Sequence, residues 1–539
     1  LDTTANGPAR VAPHHGEARV VLNGATLTVA GVLALADGTA VPGVAPEARE
    51  RAARSCRTAR RLAAAGRLYG RGTGVGAQRA VPVEEGDEAA HGLRLLRSHA
   101  GGAGALLPAR QVRAMLAVRA NQLLAGGSGI QPAVVDALAE ALRLGVHPAV
   151  NEYGAVGTGD LTALAQTGLT LIGERAWRGA RAPEPQRDTT ASTAPAGIPA
   201  PVPAPVVTTV LAPAPGATPA RLPAPVVLQP GDALALLSSN ALTLGQAALA
   251  QGELDVLLRA THAVAALSLA AVSGSAEAYA APVHALRPYP GAARAAGEVR
   301  RLLGLPDRPP HRPGRVQDPF GFRAFPQAHG SALDASERLR EVIEVEVNCP
   351  SENPLIHPDG TAAYHHGGFF AAPLGLALDA ANLALLQTAQ LCAARLAALG
   401  DPALTGLPAF LGGGPASSSG TMILEYTANS ALAELRSATA PASAGHAVLS
   451  RGLEEAASFA GQAARQTLRA ADAYTTVLAC ELVAAVRALR MRPDRGQTLP
   501  PPGEVFAVAA AVLPAGTEDR PLTGDITSAA QLLPVLAGL

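Results

Sequence analysis

A mainly α-helical fold, with a long central helical bundle and a small N-terminal α/β-like part, is what this 539-residue sequence predicts. Three observations carry the prediction. Ala- and Leu-rich tracts run over residues 373–399 and 427–490, broken only at Gly412-Gly413-Gly414-Pro415 and at Gly445, and tracts of that length suit a bundle. Several shorter stretches repeat their apolar residues at helical spacing. Hydrophobic residues make up 48% of the chain but aromatics only 3%, so Leu, Val and Ala must fill the core.

Taken in order, residues 18–29 alternate well enough for a strand or extended segment, within an N-terminal extension over 1–45. Helical patterning starts at Pro46 and opens a unit spanning 46–180. Within it, Val112, Met115, Leu116, Arg119 and Leu123 share one helical face over residues 110–124. Residues 132–144 repeat the pattern, and Pro132 suits a first turn. A Pro/Ala-rich insertion covers 181–230; proline lacks the amide donor and fixes φ, so this segment cannot be a core helix. The bundle occupies 231–495, with further helical stretches at 254–269 and 333–347, the latter turning Leu339, Val342 and Ile343 to one side. A C-terminal segment spans 496–539.

The 43 basic and 43 acidic residues cancel. A neutral chain argues against nucleic-acid and membrane-surface partners, which usually demand a basic excess. Cys56, Cys349, Cys392 and Cys480 lie far apart, without metal-ligand spacing, and read as free thiols of a reducing cytoplasm. Residues 1–16 lack the basic start and apolar run of a signal peptide, and the apolar tracts fall short of an uninterrupted spanning helix. His365 and His366 are adjacent, point apart on any regular element and have no third ligand nearby, so no metal site is expected.

The chemistry-bearing cluster begins at Asn151-Glu152-Tyr153-Gly154-Ala155-Val156-Gly157-Thr158-Gly159-Asp160-Leu161. A glycine-dense loop leads into a helix whose N-cap is Asp160, and amides at a helix start favour negative charge. Around it stand Tyr69-Gly70-Arg71-Gly72-Thr73-Gly74-Val75-Gly76, Leu96-Arg97-Ser98-His99-Ala100-Gly101, Gly145-Val146-His147-Pro148 and His284-Ala285-Leu286-Arg287-Pro288. Further on come Gln317-Asp318-Pro319-Phe320-Gly321-Phe322-Arg323, Asn353-Pro354-Leu355 and Met422 with Tyr426-Thr427. In this order and at this spacing, the segments resemble the histidine/phenylalanine (aromatic amino acid) ammonia-lyase family over residues 60–180 and 231–490.

That resemblance implies a helical homotetramer whose sites draw on several subunits. It also implies elimination of ammonia from an aromatic amino acid, using the electrophile methylidene-imidazolone (MIO), which forms from an Ala-Ser-Gly triplet. Tyr69 then matches the catalytic base, and Arg323 the guanidinium that holds the substrate carboxylate in a bidentate pair. Ser98 and His99 match a substrate-selectivity position. Asn240 stands in the segment that replaces the family's Asn-Gly-Thr-Gln, Phe320 stands where a tyrosine is expected, and Glu425 lies in the Met422–Thr427 match; all three are candidate substrate contacts.

The triplet itself departs from the pattern. Gly157-Thr158-Gly159 precedes Asp160-Leu161, one residue shorter than the family's loop and without serine. Either no cofactor forms, which is the expectation here, or these three residues cyclise to a ring whose alkene carries an extra methyl. The family's carboxylate-bearing Asn-Gln-Glu-Asp-His stretch is replaced by Gly445-His446-Ala447-Val448-Leu449, which offers no carboxylate. Three functions stay open: a lyase acting on a small carboxylate without standard MIO, an ammonia-lyase or aminomutase with a Thr158-derived cofactor, and a non-catalytic homologue serving as scaffold or oligomer partner.

Overall fold

A computed structural model describes residues 18–66, 68–84, 86–179, 221–310, 315–492 and 502–539. The N-terminal part is a parallel pair, β1 (Ala18–Leu22) beside β2 (Ala40–Val44), linked by α1 (Val29–Asp37). The extended segment expected over 18–29 therefore stops after five residues. Gly24 turns the chain at φ 75°, and the Thr28 side chain accepts from Gly31 N at 3.1 Å, so an N-cap ends the alternating stretch.

Next come α2 (Pro46–Ala65), α3 (Glu88–His99), β3 (Ala103–Leu106), α4 (Ala109–Leu124) and α5 (Pro132–Leu144). Two short strands, β4 (His147–Pro148) and β5 (Asn151–Tyr153), precede α6 (Leu161–Leu171) and β6 (Trp177–Arg178). β3 pairs antiparallel with β5, and β4 with β6. The face read from α4 is buried, and Arg119 within it pairs with the equally buried Glu352 at 2.8 Å. Residues 181–220 of the Pro/Ala-rich insertion lie outside the described residues; Val226, beyond them, donates its amide to Leu171 O at 2.9 Å.

The bundle opens with α7 (Asp232–Leu237) and α8 (Ala241–Ala271), then α9 (Ala281–Ala285), α10 (Pro290–Leu302), α11 (Phe320–Arg323) and α12 (Phe325–Glu346). After the hairpin of β7 (Leu355–Ile356) and β8 (Ala363–Tyr364) follow α13 (Ala372–Leu399), α14 (Pro402–Thr405), α15 (Met422–Ser437) and α16 (Ala460–Met491). The C-terminal segment forms α17 (Gly503–Val512) and α18 (Thr523–Leu536), which packs back on α8 and α16. The tract read over 427–490 is thus two helices. Its break is wider than Gly445 alone, because Asp379 accepts from Ala442 N and Ser443 N at 3.1 and 2.9 Å and holds the connection against α13.

Helices α8, α13 and α16 are 31, 28 and 32 residues long, and α16 packs against both others. Alanine and leucine make up most of their buried residues, and the alanines let the backbones approach closely. Where they meet, Arg395 and Glu481 form a fully buried bidentate pair at 2.6 and 2.8 Å. The stretch Asp232–Ala271 is long and apolar enough to cross a membrane by composition, but its apolar window lies mostly inside the bundle.

Candidate active site

Thr158 sits between two glycines in left-handed backbone, Gly157 at φ 88° and Gly159 at φ 111°. Glycine is required at 157 on a second ground: a Cβ there would lie 2.0 Å from Ser458 Oγ. The Gly157 carbonyl accepts from Ser458 Oγ at 3.0 Å and from Ala371 N at 3.3 Å. Gly159 N donates to Asn240 Oδ1 at 3.1 Å, while Asn240 Nδ2 donates to Phe369 O at 2.5 Å. Asn240, read as a substrate contact, thus spends its amide on the loop. Phe459 N donates to Val156 O at 2.8 Å. The starts of α6, α8, α13 and α16 therefore converge on one short loop, and their unpaired amides and aligned dipoles give it a positive environment.

Asp160 occupies the N-cap position of α6 but makes no capping bond with its side chain. Its carboxylate instead accepts from Thr243 N and Thr243 Oγ1 at 2.8 and 2.9 Å, tying α6 to α8. Burial pushes its pKa up to about 6, against the opposing Thr243 hydrogen bonds.

Tyr69 is half-buried, and its hydroxyl oxygen accepts from Gly76 N at 2.7 Å. The same loop donates Ala77 N to Ser450 Oγ at 3.0 Å, which docks it on a hairpin closed by the Leu449 N to Glu454 O bond at 2.7 Å. Residues 458 and 459, just beyond that hairpin, grip the Thr158 loop. Burial raises the Tyr69 pKa and the nearby Glu454 carboxylate adds to the rise, while the Gly76 amide and Arg79 oppose it. Sequence comparison found no carboxylate in residues 445–449; the fold supplies Glu454 from five residues further on. A β-bridge sets that register, and no local pattern announces it.

His99 ends α3, with Nδ1 2.9 Å from Leu95 O and 3.1 Å from Ser98 Oγ. Donation to the carbonyl leaves the Nε2 lone pair available. Ser98 is exposed and donates to Leu95 O at 3.1 Å, finishing the helix.

Arg323, Phe320 and Glu425 do not join this cluster within one chain. The exposed Arg323 guanidinium stacks over the exposed Phe320 ring at 4.2 Å. Arg395 Nη1 donates to Gly321 O at 3.1 Å, which fixes α11 beside residue 395 of α13. Glu425 lies next to Gly400, just past the same end, and burial raises its pKa. The opposite end of α13 meets the Thr158 loop at residue 371. Twenty-four residues at 1.5 Å each put roughly 36 Å between the two groups. The resemblance implies sites shared between subunits, and within a single chain α13 holds these groups apart.

Sequence and fold agree on what kind of protein assembles such a loop. The aromatic amino acid lyase profile matches residues 27–511. This chain belongs to the aromatic amino acid lyase family. The histidine ammonia-lyase of Anaeromyxobacter dehalogenans is 35% identical over 531 residues, covering 95% of this chain and 98% of that protein. Among solved structures, the tyrosine aminomutase of Streptomyces globisporus superposes with a TM-score of 0.82 at 25% identity, over 96% of this chain and 97% of that one. Histidine ammonia-lyase of Trypanosoma cruzi gives 0.80 at 26% identity, over 96% and 93%. This aromatic amino acid lyase is therefore an enzyme of ammonia-lyase or aminomutase type.

Proposed function

We propose that this family member eliminates a leaving group from the α-carbon of a small, amino-acid-like carboxylate without the standard MIO. The observation that carries the reading is Thr158 at the centre of an otherwise complete hydrogen-bonded frame. The standard group needs the hydroxymethyl of serine at this point. Threonine would put an extra methyl on the carbon that a substrate must reach, and Gly157 leaves no room for the alanine of the usual triplet. The residues present do not fit that group.

The chemistry then rests on this chain's own groups. Arg323, exposed and with its guanidinium lying over Phe320, can pair with a carboxylate. Tyr69 as phenolate takes the β-proton, the released pair forms the Cα–Cβ double bond, and the Cα–N bond breaks with its electrons leaving on nitrogen. The helix starts around the loop favour the negative charge that builds up on the substrate. Without an electrophile the nitrogen must depart unaided, so the substrate class is one with an activated leaving group or an acidified β-proton. Because α13 holds Arg323 far from the Thr158 loop, the reading requires a second copy to bring Arg323 to it, and a homotetramer is the proposed assembly.

Intact mass of the purified chain tests this. The unmodified sequence mass is expected. Loss of two waters at residues 157–159 would overturn the cofactor-free reading in favour of a Thr158-derived ring. That second reading draws support from the two donors on the Gly157 carbonyl and the Gly159 amide held against Asn240. Tyr69→Phe and Arg323→Ala should each abolish turnover with the oligomer intact. An unmodified chain that neither binds a carboxylate nor turns one over would be a non-catalytic homologue.

A further inference from the structure

We infer that Ser450 is a positioning residue for Tyr69: its hydroxyl oxygen anchors the Ala77 amide, which keeps the adjacent Gly76 amide on the phenolic oxygen. The inference deepens the reading of Tyr69 as the proton acceptor and rests on that reading for its catalytic meaning. Two consecutive amides of one loop serve the two oxygens. Gly76 N donates to the Tyr69 hydroxyl oxygen at 2.7 Å, and Ala77 N donates to Ser450 Oγ at 3.0 Å. Gly76 itself is left-handed at φ 56°, and a Cβ there would lie 2.7 Å from Ser450 Oγ. The serine therefore seats directly against the residue whose amide holds the phenol.

The backbone under Ser450 carries strain. Ser450 and Arg451 are both left-handed, at φ 52° and 57°, ahead of Gly452 at φ 80°. Glycine takes that conformation freely, whereas residues with side chains are strained in it and persist only where the surroundings hold them. A narrow hairpin does the holding: Leu449 N donates to Glu454 O at 2.7 Å, and Gly452 N to Leu449 O at 3.0 Å. A glycine at 450 would close this turn with less strain, but it would carry no hydroxyl. Phe459, also left-handed at φ 49°, donates its amide to Val156 O at 2.8 Å from the same segment. Strain thus collects at the two points where residues 449–459 touch the site, one on the Tyr69 loop and one on the Thr158 loop.

The consequence is chemical. An amide aimed at a phenolic oxygen favours the ionised form. Tyr69 needs that help, because burial and Glu454 both oppose ionisation. Arg79, on the same loop, acts in the same sense as the Gly76 amide. Just past β8, His365 meets the ring edge-on at 6.5 Å and accepts the Tyr69 amide at Nε2, 3.4 Å away. Among the described residues, the Gly76 amide is the group that hydrogen-bonds the phenolic oxygen.

The test reads the phenol itself and needs no substrate. Full-length protein is labelled with 3-fluorotyrosine, the Tyr69 resonance is identified by its loss in Tyr69→Phe, and its fluorine NMR shift is followed against pH. Ser450→Ala removes the acceptor and keeps the strain; Ser450→Gly removes both. Each should raise the Tyr69 titration midpoint by about one pH unit, as expected for losing a hydrogen bond to a charged oxygen. Ser450→Gly should nonetheless unfold at a higher urea concentration than Ser450→Ala, because φ 52° suits glycine. A rise of less than about half a unit in either variant overturns the inference. A rise confined to the less stable variant marks a merely structural serine and does the same. Should Ser450→Ala fail to fold, Ser450→Gly decides. If Tyr69→Phe keeps full turnover, the base reading fails while the midpoint shift stands, so the two failures are told apart.

Discussion

Replacing Arg395 by methionine should destabilise the protein more than any other single change in the bundle. Both members of the Arg395–Glu481 pair are fully buried, and Glu481 also accepts from Ser268 Oγ at 2.7 Å. Methionine keeps much of the volume but leaves a carboxylate in the core with one hydroxyl for company. Removing one partner of such a pair costs about 3–5 kcal/mol, mostly from the uncompensated charge. Replacing both residues, Arg395→Met with Glu481→Leu, removes that charge and should recover most of the loss, since apolar substitution of a whole buried pair is often neutral. Urea unfolding followed by far-UV circular dichroism, at one fixed protein concentration, measures both. A loss under about 1 kcal/mol for the single variant, or a double variant as poor as the sum of the two singles, would refute the reasoning. A functional echo is expected as well: Arg395 also donates to Gly321 O beside Arg323, so the double variant should bind carboxylate more weakly even where its stability returns.

Three further predictions follow from the loop and its surroundings. Burial and Glu454 hold the Tyr69 hydroxyl above its ordinary range, so kcat/KM should climb with pH to beyond about 10; Glu454→Gln should move that limb to lower pH, and a limb already complete below pH 9 would contradict the assignment. Asp160, raised from 3.8 to about 6, binds its proton more tightly folded than unfolded. Stability should therefore fall as pH rises from about 4 to 6, by roughly 3 kcal/mol, and Asp160→Asn should remove that decline in parallel denaturation curves. Gly157→Ala forces a Cβ within 2.0 Å of Ser458 Oγ at φ 88° and should destabilise by more than about 1 kcal/mol; Ser458→Gly added to it should restore part of the loss, and no restoration would mean that the backbone conformation alone is responsible.

Much of the architecture was legible before the fold. Helical spacing located α4, α5 and α12 to within a few residues at their C-terminal ends, because a buried face imposes its period on the sequence. The order of short segments around Tyr69, Gly157 and Arg323 pointed to the family, since each serves a backbone or charge requirement that few residue types meet. What was not legible depends on contacts across hundreds of residues. Asp160 looked like an N-cap, yet Thr243, 83 residues away, claims its carboxylate. Glu454 could not be read as a neighbour of Tyr69, because a β-bridge and Ser450 set its position. Nor does periodicity reveal that one helix keeps the Thr158 loop and Arg323 at opposite ends.

The span of α13 carries a consequence for inheritance. If each centre borrows its anion grip from one polypeptide and its base from another, a lesion in either half damages centres shared with healthy neighbours. The converse is that two inactive alleles, one lacking the phenol and one lacking the guanidinium, could repair each other when co-expressed: a fraction of centres would inherit both intact halves.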